Sequence, residues 1–144
     1  MRNQAMVTVD GLVGDWTVTM SDAWFLEPPG TEVHGTATVE WFGDAFLLVR
    51  SALQGEMSLA IGHSEPNDAY VVLYHDDRGV SRVFAMTWDD GRWTMSREDP
   101  DFHQRFVADV EPDRISGRWE ASEDQGRTWR KDFDLVFDRD PGGR

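Results

Sequence analysis

The sequence predicts an all-β protein built as a single antiparallel up-and-down barrel of about ten strands. Three observations carry this. Apolar and polar residues alternate along most of the chain, the mark of half-buried strands, and no stretch repeats its apolar residues with a helical period. Short turn signals such as Gly43-Asp44, Asp90-Gly91 and Pro112-Asp113 separate the alternating runs. The 144 residues include 7 Trp and 8 Phe, far too aromatic for a disordered chain and the right length for one domain.

The first strand is expected at 13–20, where Trp16, Val18 and Met20 alternate with Asp15, Thr17 and Thr19. Segment 21–32 contains Pro28-Pro29-Gly30, which leaves room for at most one helical turn, around Asp22 to Leu26. The next strand, 33–42, alternates and ends at Gly43-Asp44, which turns the chain into 44–53, rich in Phe, Leu and Val. Strand 56–63 sets Met57, Leu59, Ile61 and His63 on one face. Strand 69–75 is aromatic and β-branched, and Asp76-Asp77-Arg78-Gly79 turns it into 80–88. Asp90-Gly91 leads to 92–97, an acidic turn to 103–110, and Pro112-Asp113 to 113–122. Glu123-Asp124-Gln125-Gly126 opens the last strand, 127–137, and the tail from about 139 to 144 is expected to fray. Residues 1–144 form one domain without repeats or linkers.

Ten consecutive antiparallel strands must curl or close, because an open sheet of that size exposes two edges. A closed barrel is the simplest outcome. A β-sandwich competes, but its Greek-key crossovers need longer connections than most found here. An eight-stranded barrel already fills itself or holds one small ligand, so about ten strands predict an internal cavity.

Asp90-Gly91 is a two-residue type I′ turn signal that sets its own register. It pairs Asp89 with Arg92, Trp88 with Trp93, Met86 with Met95 and Phe84 with Arg97, while Thr87 and Thr94 face the other way. The Trp/Met/Phe face is assigned to the interior, which carries Arg82 and Arg97 inside as well. Each arginine either snorkels its guanidinium into solvent at a barrel mouth or anchors a ligand carboxylate or phosphate. Arg82 is the better anchor, lying mid-strand between Val80 and Phe84. A three-residue loop at 77–79 with Gly79 left-handed sets Tyr74 opposite Arg82 and Tyr70 opposite Met86; a four-residue loop would turn His75 inward instead.

Ser122-x-Asp124-x-Gly126-x-Thr128-Trp129 resembles the Asp-box of sialidase propeller blades. One copy cannot build a propeller, which repeats its blade, so the motif reads as a hairpin stabiliser and sialidase activity is set aside. It places Trp119 nearly opposite Trp129, with Lys131, Phe133, Leu135 and Phe137 following on the same face.

Gly14-Asp15-Trp16 at the first strand resembles the opening signature of the calycin superfamily, which comprises lipocalins, fatty-acid-binding proteins and nitrobindin-like barrels. In lipocalins a basic residue near the last strand packs over that Trp, and the resemblance implies Arg139 for the role. More narrowly, Gly14 to Trp16, Gly35 through Trp41 to Leu48, and the Ser122 to Trp129 box resemble an uncharacterised bacterial family of calycin-like barrels, which implies a fold and no reaction. Segment 21–32 is too short and proline-broken for the helical lid of fatty-acid-binding proteins, and no C-terminal helix of the lipocalin kind is expected. Nitrobindin-type barrels hold haem through a late-strand His, and 113–137 contains none.

Charge and composition close other routes. The net charge of −13 repels nucleic-acid phosphates and anionic lipid, so neither nucleic acid nor membrane is expected as a partner. Cys is absent, which removes disulfides, thiolate metal sites and a Cys nucleophile. The longest apolar run, Ala45 to Val49, is far short of the roughly 18 residues of a membrane helix, and the first residues lack the apolar stretch of a secretion signal. A cytoplasmic location follows as the expectation. His34, His63, His75 and His103 show no metal-ligand spacing, so no metal or cofactor is expected. His63 shares a face with Met57, Leu59 and Ile61, as a core or rim residue or a ligand contact. No Gly-x-Ser-x-Gly occurs, and acidic clusters such as Glu98-Asp99-Pro100-Asp101 sit in turns as solvated loops, with weak calcium binding as the alternative.

Trp24-Phe25-Leu26, outside any strand, is a plug for the barrel bottom, a mouth flap or an exposed protein contact that could make a homodimer. The leading expectation is a binding barrel for a small apolar or amphipathic molecule carrying an acid. Trp16, Trp41, Tyr74, Phe84, Met86, Trp88, Trp93 and Trp119 line its cavity, with Arg82 as polar anchor and Arg97 and His63 as further contacts. The alternative is a structural or protein-interaction barrel whose interior is filled by side chains. Whether the protein is an enzyme stays open, leaning against, since no catalytic constellation stands out.

Overall fold

The structure, a computed structural model, describes residues 1–141. Ten antiparallel strands run β1 (Gly14–Ser21), β2 (Val33–Phe42), β3 (Phe46–Ala52), β4 (Glu56–Ser64), β5 (Ala69–Asp76), β6 (Ser81–Asp89), β7 (Arg92–Glu98), β8 (His103–Val110), β9 (Arg114–Ser122) and β10 (Arg130–Arg139). Each pairs with its sequence neighbours, and β1 pairs with β10 to close the barrel. No edge is left open, and the sandwich alternative is excluded.

The Asp90-Gly91 hairpin has the expected register, with Asp89↔Arg92, Trp88↔Trp93 and Met86↔Met95; its ladder ends at Ala85↔Ser96, one pair short of Phe84 and Arg97. Asp90 and Gly91 both take positive φ, as a type I′ turn requires. The β5–β6 loop is the three-residue form: Asp76 and Val80 bond across it, Gly79 has φ +85°, and Tyr74 faces Arg82 while Tyr70 faces Met86. His75 therefore points outward, onto the Ser81 hydroxyl at 3.1 Å.

The last hairpin departs from expectation. The Asp-box turn occupies the chain as far as Trp129, so β10 starts at Arg130, and a bulge between Lys131 and Phe133 shifts the register. Trp119 consequently pairs with Phe133, not Trp129, and packs against Phe84 and Phe106 at ring separations of 5.5 and 5.1 Å. Trp129 lies outside the sheet interior under the Arg105 guanidinium, 3.9 Å away. Lys131 pairs with Glu120, off the Phe133 face, and bonds Asp22 and Asp134.

Within the turn Asp124 accepts from the Thr128 N–H and the Ser122 hydroxyl, both at 2.8 Å, and from the Thr128 hydroxyl. These bonds, the Thr128 hydroxyl first, hold the carboxyl down at about 2. A folded pKa below the ordinary 3.8 means the turn stabilises the fold above pH ~4 and loses that contribution as pH falls towards 2. Acid unfolding followed by circular dichroism should show Asp124→Asn less stable at neutral pH, with the difference from the parent narrowing across that window. Parallel curves would refute the assignment.

One end of the barrel is closed by residues before β1. A short helix α1 (Gln4–Val7), capped by Asn3, and a 3₁₀ turn at Asp10–Leu12 insert Met6, Val9 and Leu12, all fully buried. The sequence pattern signals neither turn. Tyr70 anchors the segment by donating to the Ala5 carbonyl at 2.6 Å, and the Arg2 guanidinium stacks 4.5 Å over Trp41.

Above this plug, Trp16 donates to the Leu12 carbonyl at 2.9 Å and lies 4.1 Å under the Arg139 guanidinium. Arg139 donates to the carbonyls of Val13, Gly11 and Pro112 at 2.7–2.8 Å. A Cβ at position 14 would collide with Arg139 Nη1, and Gly14 has φ +146°, so the Gly-x-Trp signature is a passage for this arginine. Arg139 and Asp140 are thus ordered parts of the closed end, with Asp140 N bonded to the Asp15 carbonyl. The expected fray of 139–144 is corrected for these two, while residues 142–144 lie outside those described.

Candidate functional site

The other end of the barrel is the mouth, ringed by the β1–β2, β3–β4, β5–β6, β7–β8 and β9–β10 connections. From it a cavity of about 450 Å³ runs inward to Leu12 and Trp16. Inward residues of all ten strands line it, because closing ten strands leaves more room than their side chains fill. Its depth is apolar: Val18, Val39, Val49, Leu59, Ile115 and Leu135, with the rings of Trp93, Trp119 and Phe137.

The structure brings together six of the sequence-predicted site residues on this cavity: Trp16, Tyr74, Arg82, Phe84, Trp93 and Trp119. The other five lie elsewhere. Met86 is buried between Tyr70 and Met95, closer to the plug. Trp41 and Trp88 pack against the core without lining the cavity. His63 sits at the closed end beside Tyr70, its Nε2 3.1 Å from Asp68. Period-2 alternation selects the correct face but carries no information about depth along the barrel axis.

Arg97 differs most from expectation. It neither snorkels nor lines the cavity; its side chain is 3% exposed. Its Nε donates to Asp99 at 3.0 Å, its Nη2 donates to Asp101, and Phe102 covers it at 4.6 Å, while Nη1 is buried without a partner. The acidic turn after β7 folds back over this arginine, which holds the Asp101 carboxyl below its usual range. That turn is therefore an ion-pair cap for Arg97.

The mouth carries two arginines, Arg78 and Arg82, beside the carboxylates of Glu56, Asp76, Asp77 and Asp132. Arg78 grips Asp76 at 2.6 Å and holds that carboxyl well below the usual carboxylate range. The Tyr74 hydroxyl donates to the same carboxylate at 2.8 Å; burial, then this bond, raises its pKa, so it stays a protonated donor. Arg82 makes no ion pair among the described residues. It donates to Gln104 Oε1 at 3.3 Å and lies 5.9 Å over Tyr74 and 5.3 Å over Phe102. A half-buried cation held by a single neutral hydrogen bond and no ion pair among the described residues, at the edge of an apolar cavity, is the feature that points to an anionic group.

Several lining residues fall outside the set that the sequence singles out. Gln104 and Phe106 share the inward face of β8, a position that alternation would have revealed. Phe102 and Phe25 reach the cavity from connections, where no periodicity exists. Phe25 packs edge-on against Phe133 at 5.9 Å, while neighbouring Trp24 donates to Asp132 and stacks under Arg130. Of the three readings of Trp24-Phe25-Leu26, the flap over the mouth describes its position, and the plug is formed by the N-terminal segment instead.

Among the described residues no group of three or more His, Asp or Glu side chains could hold a metal ion, and no helix is long and apolar enough to cross a membrane. No family model matches the chain, and no curated protein matches it. Solved structures do match, among them the crystal structure of Rv2717c from M. tuberculosis. The TM-score is 0.69 at 10% identity, covering 98% of this chain and 100% of that one. At that identity the likeness carries the barrel fold alone.

Proposed function

We propose that the protein is a calycin-like binding barrel for a small apolar or amphipathic molecule with an acidic end, working in the cytoplasm. The observation that supports it is the open-mouthed cavity of about 450 Å³, within the range of ligand pockets, with Arg82 at its rim making no ion pair among the described residues. The apolar body lies among Trp16, Phe84, Trp93 and Trp119, and the acid meets Arg82 beside Gln104. Arg78 and Arg97 are held by their own carboxylates, so Arg82 alone carries selectivity for charge.

Tryptophan fluorescence titration tests this with fatty acids, aromatic acids and their neutral esters. Arg82→Ala should weaken the acids by roughly 10–150-fold, the worth of a charge-assisted hydrogen bond, and leave the esters unchanged. Equal affinity in parent and variant would remove Arg82 from the site. No quench and no rise in melting temperature across the panel would favour the structural or interaction barrel.

A further inference from the structure

The Asp76 side chain is 6% exposed at the inner rim of the mouth. A carboxylate so placed is costly to leave without a cation. Two arginines are in reach of it. Arg78 follows in the same loop. Asp76 and Val80 bond across that loop, so Arg82, two residues further along the same face, is the diagonal neighbour of Asp76. Diagonal Cβ atoms stand ~7–8 Å apart, a span that a long side chain covers. Arg82 nevertheless turns away, to the Gln104 amide oxygen.

Asp76 is already occupied. Its Oδ2 accepts from Arg78 Nη2 at 2.6 Å, Arg78 Nε at 3.2 Å and the Tyr74 hydroxyl at 2.8 Å. Its Oδ1 accepts from the backbone N–H groups of Arg78 and Val80 at 3.0 and 3.3 Å. Two other carboxylates of the mouth have partners of their own: Asp77 accepts from the Glu56 N–H and Asp132 from the Trp24 indole.

We infer that Arg78 is a positioning residue for the acid-binding site: by occupying Asp76 it keeps the Arg82 guanidinium free to meet a ligand carboxylate. The role rests on the binding function proposed above. Arg78 acts through Asp76, with its own charge engaged there and its side chain 68% exposed. Without Arg78, the buried carboxylate draws Arg82 off Gln104 and onto itself. An internal partner one diagonal away outcompetes a ligand, because it is met without the cost of association. Selectivity for an acid thus depends on a loop residue, while the apolar wall that holds the rest of the molecule is unaffected.

Two measurements test this. Without ligand, heteronuclear NMR of the arginine Nε–H groups reports where Arg82 lies, its signal identified by its loss in Arg82→Lys. In Arg78→Ala that signal should shift and its exchange with solvent should slow about 10-fold or more, as the guanidinium is fixed on Asp76. Arg78→Ala/Asp76→Asn should return it to the parent position. With ligand, tryptophan fluorescence titration compares decanoic acid with its methyl ester at physiological ionic strength, where charges act over about 8 Å. Arg78→Ala should weaken the acid about 10-fold or more and leave the ester unchanged. Adding Asp76→Asn should restore the acid, since an amide does not draw Arg82 away. In an Arg82→Ala background, Arg78→Ala should cause no further loss.

An Arg82 signal unmoved in Arg78→Ala, beside intact acid binding, would overturn this inference alone. So would a double variant that binds the acid no better than Arg78→Ala. An equal loss in the Arg82→Ala background would overturn it too, making Arg78 a general source of charge at the mouth. A parent that binds neither decanoic acid nor any other acid of the panel overturns the binding function, and the role of Arg78 with it.

Discussion

Removing residues 1–12 is expected to leave a chain without a cooperatively folded barrel at room temperature. Met6, Val9 and Leu12 are fully buried at the closed end. Burying side chains of this size is worth about 1.5–3 kcal/mol each, so their loss approaches the roughly 5–15 kcal/mol that holds a whole domain together. The deletion also strips the acceptors of a buried donor, the Trp16 indole N–H on Leu12, and of a part-buried one, the Tyr70 hydroxyl on Ala5. Urea unfolding followed by tryptophan fluorescence measures the effect. Leu12→Ala alone should cost about 2–5 kcal/mol, which keeps the test readable if the deletion fails to fold. A truncated chain with an unaltered midpoint would show that the segment merely rests on the barrel.

Trp16→Ala is expected to cost about 3–5 kcal/mol, the range for deleting a large buried aromatic. The loss exceeds its packing volume because three contacts meet at this ring. Phe137 stands edge-on at 6.4 Å, Arg139 stacks above it, and the indole holds the 3₁₀ turn of the plug. Trp16 is also part of the cavity wall, so the variant should enlarge the cavity and change ligand affinity. Trp16→Phe separates the two roles: it keeps a ring beneath Arg139 but loses the N–H to Leu12. Chemical denaturation should place it between parent and alanine variant. Equal stability of Trp16→Ala and parent would mean that the closed end does not depend on this stack.

The physics of the proposed site explains why its parts were unequally visible from residues alone. Loop length and the left-handed glycine at 79, both local properties, reduced the β5–β6 hairpin to two registers, and the structure selected the one that sets Tyr74 opposite Arg82. The fates of Arg82 and Arg97 did not follow, although both are inward-facing arginines near strand ends. Which one keeps a free charge depends on Asp99 and Asp101 returning over Arg97, while Arg78 in the β5–β6 loop occupies Asp76 and leaves Arg82 without it.

The amino-acid sequence by itself determined the all-β class, the strand order, the barrel and the Asp90-Gly91 register. Alternation with period two and turn chemistry act over a few residues, and consecutive antiparallel pairing then leaves closure as the way to remove both edges. Only the tertiary structure decided that residues 1–13 close the barrel, since Met6, Val9 and Leu12 have no surface to bury against until ten strands enclose an open end. It also decided that Trp129 leaves the interior, because a bulge between Lys131 and Phe133 inverts the faces that strict alternation assigns. Depth along the axis, and hence which aromatic rings meet a ligand, is a property of the closed barrel that no single strand contains.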